Sequence, residues 1–273
     1  MKHTHFKASL YALAITATLF LTDCKRSDKD KDNDTEIAGD NALSESSYND
    51  VLNIADDASD KSTGDNLSNY KTASNCATVT HDTFSTPRTI TIDFGAVNCL
   101  CNDGRYRRGK ILVSYSGHYR DSGSVHTITF DSYFVNDRHI MGSKTVTNMG
   151  HNTAGHSYFS IVVNGLIVKP SGDSISWNSN RTRTWTQGES TPGKMDDVYE
   201  ITGSASGTKG TTSYTMLITQ PLVRSLDCNW IQSGTFELQP SGKPLRTFDF
   251  GNGTCDNTAT VTINGTVYTI TLP

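Results

Sequence analysis

From Cys76 to the last residue the sequence has no helical period. Runs rich in Thr, Val, Ile, Tyr and Phe alternate with polar residues instead, broken by Asn136-Asp137, Asn164-Gly165, Lys209-Gly210 and Asn264-Gly265. Side chains of period two alternate between the faces of a strand, and such dipeptides supply the φ > 0 residues of tight hairpin turns. Many long runs joined by short turns favour an antiparallel meander with one buried face and one wet Thr/Ser face. The expected fold is therefore mainly β: a large antiparallel meander sheet or sheets over 76–273, curved or sandwich-like, with one N-terminal helix near 44–59.

Two hairpins can be tested by register. Around Asn264-Gly265 the pairs run Ile263–Thr266, Val261–Tyr268 and Ala259–Ile270, a mostly apolar face. Around Asn164-Gly165 they run Val163–Leu166 and Ile161–Val168, so separate strands are predicted at 156–163 and 166–169.

The helix rests on Tyr48, Val51, Leu52, Ala55 and Ala58, which recur at helical spacing. Ser44 or Ser46 is placed to cap it. Its other face is acidic (Glu45, Asp50, Asp56, Asp57), and the helix is expected to pack on the edge or end of the sheet. Residues 60–75 read as polar loop.

The chain has six cysteines. The stretch Ile92–Cys99 matches Phe248–Cys255, each a Phe-Gly pair with a cysteine five residues after the Phe, so the fold is expected to hold two related halves. The repeat sets Cys99 against Cys255. In an exported chain the cysteines read as disulfides with one left over: Cys228 with Cys255, and Cys76 with Cys99 or Cys101.

The export reading comes from the N-terminus. A short basic segment (Lys2, Lys7) precedes an apolar run at Ala8–Thr22, then Asp23-Cys24 and the charged run Lys25–Asp34. That run is too short to span a bilayer and has the length of a signal-peptide core. Leu21-Thr22-Asp23-Cys24 resembles the lipobox of bacterial lipoproteins, with Asp23 where that family prefers a small residue. A cysteine followed by alternating Lys and Asp is similar to the surface-export signal of Bacteroidetes-type lipoproteins. The resemblance implies that residues 1–23 are removed, that Cys24 carries the lipid, and that 24–43 form a flexible tether on the outer membrane. Phe-Asp-Phe-Gly and Asp103–Lys110 also resemble segments of uncharacterised β-rich proteins of that class, which implies a fold and no activity. Asp28, Asp30, Asp32 and Asp34 alternate as in a calcium loop, but the Gly and Glu such a loop needs are absent.

Without residues 1–23 the formal net charge is −5 (22 basic, 27 acidic). Mild acidity and the lack of any basic motif argue against nucleic acid. The sequence carries no His-Glu-x-x-His, Gly-x-Ser-x-Gly or phosphate loop, so no catalytic residue, metal or cofactor is assigned. His151 and His156 share a Gly-rich loop and read as polar surface. Arg105, Arg107, Arg108 and Lys110 are divided between two strand faces and read as a polar hairpin start. Arg181, Arg183 and Trp185 share one face and form a candidate ligand site, since arginine beside tryptophan can hold an anionic or sugar ligand. A cross-strand ladder to Asp196, Asp197 and Glu200 is the expected alternative. Three functions are compatible: a non-enzymatic binding or structural module at the cell surface, with a protein, glycan or lipid ligand; a carrier of an apolar ligand in a curved half-barrel; and an extracellular hydrolase.

Overall fold

The computed structural model describes residues 32–59 and 76–272. One helix, α1 (Glu36–Ser59), comes first. The strands are β1 (Thr78–Asp82), β2 (Arg88–Asp93), the two-residue β3 (Cys99–Leu100), β4 (Tyr106–Tyr115), β5 (Val125–Val135), β6 (Arg138–His151) and β7 (Ser157–Val168). They continue with β8 (Ser174–Gln187), β9 (Val198–Lys209), β10 (Thr212–Ser225), β11 (Ser233–Pro240), β12 (Arg246–Asn252), β13 (Thr258–Ile263) and β14 (Thr266–Thr271). All belong to one antiparallel sheet in chain order, with β3 as a side branch on β4. Among the described residues β1 and β14 do not pair, so the sheet stays open.

The Asn264-Gly265 hairpin has the predicted register, and both turn residues take positive φ (50° and 79°). The Asn164-Gly165 turn does not form: β7 runs straight through it, and Gly165 pairs with both Gly142 and Trp177. The glycine is needed for another reason. The Tyr48 ring of α1 lies over it, and a Cβ there would sit 2.3 Å from the Tyr48 hydroxyl. Tyr48 also stacks on Trp177 (centroids 5.5 Å apart) and donates to the Met141 carbonyl at 2.8 Å.

α1 begins eight residues before the predicted start, and 32–43 belong to the folded body rather than a tether. The Asp34 carboxylate accepts the Glu36 N–H at its N-terminus; Ser44 lies inside the helix and donates back to the Asp40 carbonyl. Nor does the helix sit on an edge. Seventeen of its 24 residues are buried, its side chains or backbone bond to β4, β6, β8 and β9, and Asp32 just before it bonds to β12. The sheet therefore curves around α1. Tyr48, Val51, Leu52, Ala55 and Ala58 all face the core as expected, joined by Ile37, Leu43 and Ile54. Inward residues such as Ile128, Val146, Ile161, Trp177, Ile201, Phe236 and Val261 complete it; a fully buried side chain of this size contributes about 1.5–3 kcal/mol. On the other face Thr147, Ser160, Thr182 and Thr202 stand in register across four strands.

The helix is held by charge as well as by apolar packing. Residues 32–59 contain eight Asp or Glu and no Lys or Arg. Asp32 pairs with Arg246, Asp34 with Lys243, Asp40 with Lys169 and Glu36 with Lys209. Glu45 pairs with Arg181, Asp50 with Arg105 and Arg107, and Asp56 with Lys194. Burial pushes the Asp50 carboxyl up, but the two guanidiniums more than offset this and hold it below the usual range.

The two disulfides join Cys76 to Cys99 and Cys228 to Cys255, with Cα atoms 5.6 and 5.7 Å apart. Cys101 is the remaining thiol among the described residues and is buried. The repeat holds locally: Asp93 and Asp249 each accept the N–H of the glycine two residues on, at 2.8 Å, and Phe94 and Phe250 are both buried.

Candidate ligand cavity at the helix end

Where α1 ends, the sheet leaves a cavity of about 320 Å³, within the range of small-molecule sites. Its walls come from the ends of β1, β2, β4, β5 and β8, the loops after β4 and β8, and the last turn of α1.

The loop between β4 and β5 carries His118, Tyr119 and Arg120 into the wall. It is tied down at several points: Asp121 accepts the His118 N–H at 2.9 Å, and Asn148 donates to the Tyr119 carbonyl at 3.1 Å. The loop after β8 turns at Gly188 (φ 87°), where a Cβ would lie 2.3 Å from the Asp197 carboxylate. From that loop Lys194 donates to both the carbonyl and the carboxylate of Asp56, at 3.2 and 3.4 Å. A helix C-terminus carries partial negative charge, and an ammonium there offsets it.

Aromatic rings form the floor. Tyr115 stacks on His126 (5.7 Å), Tyr119 on Phe159 (4.8 Å), and Trp185 leans on Tyr199 (5.4 Å). Two exposed arginines cover them: Arg88 lies 6.0 Å from the Tyr115 ring centre and Arg120 lies 4.5 Å from that of Trp185. At least ten of the sixteen Lys and Arg among the described residues form ion pairs with carboxylates. Arg88 and Arg120 do not; the nearest bond to Arg120 is a long one, 3.3 Å, to the Glu189 carbonyl.

Asp197 is the buried acid of the cavity, with 1 % of its surface exposed and Oδ1 without a hydrogen-bond partner among the described residues. Burial raises its carboxyl to about 6; Trp185 and Arg120 oppose this, and Asp196 and Asp56 add to it. Burial also lowers the His126 imidazole, which contacts the Gly117 carbonyl through Nε2 at 3.0 Å. Among the described residues no group of three His, Cys, Asp or Glu side chains is placed to hold a metal.

The three candidate ligand residues separate. Trp185 lines the cavity. Arg181 is buried against Glu45, with Nη2 to Oε2 at 2.7 Å. Arg183 is buried over the Tyr199 ring at 3.5 Å. The ladder to Asp196, Asp197 and Glu200 does not form across Arg181 and Arg183, because Gly203 and Ile201 stand opposite them. Arg105 and Arg107, read as a polar hairpin start, converge on Asp50 and Asp103. Cys24 lies outside the described residues. Arg88, Tyr115, Tyr119 and Arg120 were not singled out from the sequence: they come from separate elements, and no spacing links them. The chain matches no family model, no curated protein and no solved structure.

Proposed function

We propose that the protein is a lipid-anchored module of the outer-membrane surface that binds a small ligand in the cavity at the end of α1 without transforming it. The observation that carries the binding reading is the pair of arginines, Arg88 and Arg120, each over an aromatic ring of one cavity and neither paired with a carboxylate among the described residues. Eight of the ion-paired cations bind α1 or the residues just before it; here two face solvent beside a built hollow. The anchor rests on the apolar run before Cys24 and on its lipobox resemblance. The carrier reading has less support, because α1 fills the inward face that an apolar cargo would occupy. A hydrolase is the second reading, favoured by Asp197, raised to about 6, sharing a cavity with Asp56. A thermal-shift screen of sugars, organic acids and peptides against the wild type and Trp185→Ala tests both. The binding reading expects at least one ligand that raises the wild-type Tm and loses its effect in the variant, and that is recovered unchanged. Finding no such ligand removes the binding reading, and recovering cleaved product establishes the hydrolase instead.

A further inference from the structure

Resting on that binding reading, we infer that the ligand is an acidic saccharide of one or two rings, held by Arg88 and Arg120 through its anionic group and by the aromatic floor through its ring. The argument begins with charge. Arg88, Arg120 and Lys194 face the cavity, against Asp56, which is bonded to Lys194, and Asp197. Arg88 has no carboxylate partner among the described residues, and Arg120 feels the Asp197 charge without forming an ion pair with it; a planar guanidinium suits a carboxylate or phosphate because it donates two parallel hydrogen bonds.

The second part is shape. A bare inorganic anion needs no aromatic wall, whereas this cavity has Tyr115, Tyr119 and Trp185 together. Tyr115, half-buried, offers its surface to the C–H face of a flat, weakly apolar ring, while the buried Tyr119 and Trp185 back the wall, and the tyrosine and histidine edges leave polar groups within reach of hydroxyls. About 320 Å³ admits one or two sugar rings but no long chain. Arg120 is exposed and bonded only weakly to the Glu189 carbonyl, so it can turn from the Trp185 face toward an anion at little cost. The partial negative charge of the helix C-terminus would repel an anion, and Lys194, bonded to the Asp56 carbonyl, is placed to cancel it.

The shared chemistry is an anionic group on a sugar ring, and its source can be a uronic acid or a sugar phosphate. The test titrates the full chain, purified in detergent, with digalacturonate, galactose 6-phosphate, neutral galactobiose and inorganic phosphate, by calorimetry at low and moderate salt. One or both acidic sugars are expected to bind at least tenfold more tightly than galactobiose and phosphate, with affinity falling as salt rises. Arg88→Gln and Arg120→Gln, both at exposed positions, are expected to weaken that binding fivefold or more. Arg138→Gln, on β6 outside the cavity, should leave it unchanged. Which acidic sugar binds identifies the source. Equal binding of galactobiose, unchanged affinity in both cavity variants, binding of phosphate alone, or no binding of any probe overturns the inference. A neutral ligand from the wider screen that needs Trp185 would sustain the binding reading while this inference falls.

Discussion

Arg181, at the centre of β8, reaches Glu45 of α1 through two bonds to one oxygen, Nη2 at 2.7 Å and Nε at 3.0 Å, and both side chains are almost wholly buried. Breaking one side of such a pair leaves a charge stranded in the core, which costs about 3–5 kcal/mol. Glu45→Ala is therefore expected to lower unfolding stability by that amount in urea. Replacing both partners, Glu45→Leu with Arg181→Met, should recover most of the loss, because an apolar pair of similar volume removes the desolvation cost. Equal damage from the double and single variants would show that the pair does not act as a unit.

Gly165 and Tyr48 form a second coupled pair. Gly165→Ala places a methyl inside the Tyr48 ring and is expected to cost more than about 2 kcal/mol, as overpacking does. In the background of Tyr48→Ala, which is itself destabilising, the added methyl has room, and its cost should nearly vanish. A double-mutant cycle by urea unfolding measures the coupling.

Lys144 is fully enclosed and donates to the Tyr48 carbonyl at 2.8 Å. Burial, then Arg183 and Arg181, pushes its ammonium down to about 7, against the pull of Glu45. The unfolded chain therefore holds this proton between about pH 7 and pH 10.5, where the folded chain has lost it. Stability from this group rises with pH across that window, since the unfolded state binds more protons. Lys144→Met should flatten the rise and stabilise the protein most below pH 7. An unchanged slope between pH 7 and 10 would place the titration elsewhere.

Asp197 works in the opposite sense. Its folded carboxyl titrates near 6 and its ordinary value is 3.8, so the folded state holds the extra proton between those limits. Stability from this group falls as pH rises from about 4 to 6 and stays low above. Asp197→Asn is expected to gain about 3 kcal/mol at pH 7 and almost nothing at pH 3.5, measured by chemical unfolding at both values.

The disulfides span 23 and 27 residues. Each is expected to contribute about 3 kcal/mol through the chain entropy of the unfolded state. Cys228→Ser and Cys76→Ser should each lower stability by that order, and Cys101, buried and pushed upward by burial, should resist alkylation until the protein is unfolded. For the anchor, Cys24→Ala is expected to move the protein from the membrane fraction to the soluble one. A variant that stays in the membrane fraction would rule out lipidation as its tether.

The sequence by itself determined the fold class, most of the strands and much of the local register. The Asn264-Gly265 hairpin, the meander order and the apolar stripe of α1 depend on contacts between near neighbours, which periodicity and turn chemistry report. Both disulfides were within reach for the same reason, since each joins segments flanking a single turn of the meander. Tertiary structure decided the rest. Asn164-Gly165 is a turn by its local chemistry, yet it stays extended because Tyr48 needs the space above Gly165. Residues 36–43 read as the end of the tether that follows Cys24; they become helical where Lys169, Lys209 and Trp177 receive their polar side chains. Arg181 and Trp185 share a strand face in the sequence, but only the curvature of the sheet sends one to Glu45 and the other to the cavity. Local hydrogen bonding and periodicity are written along the chain, whereas burial and charge pairing depend on which distant residue arrives, and that is settled by how the open sheet curves around the helix.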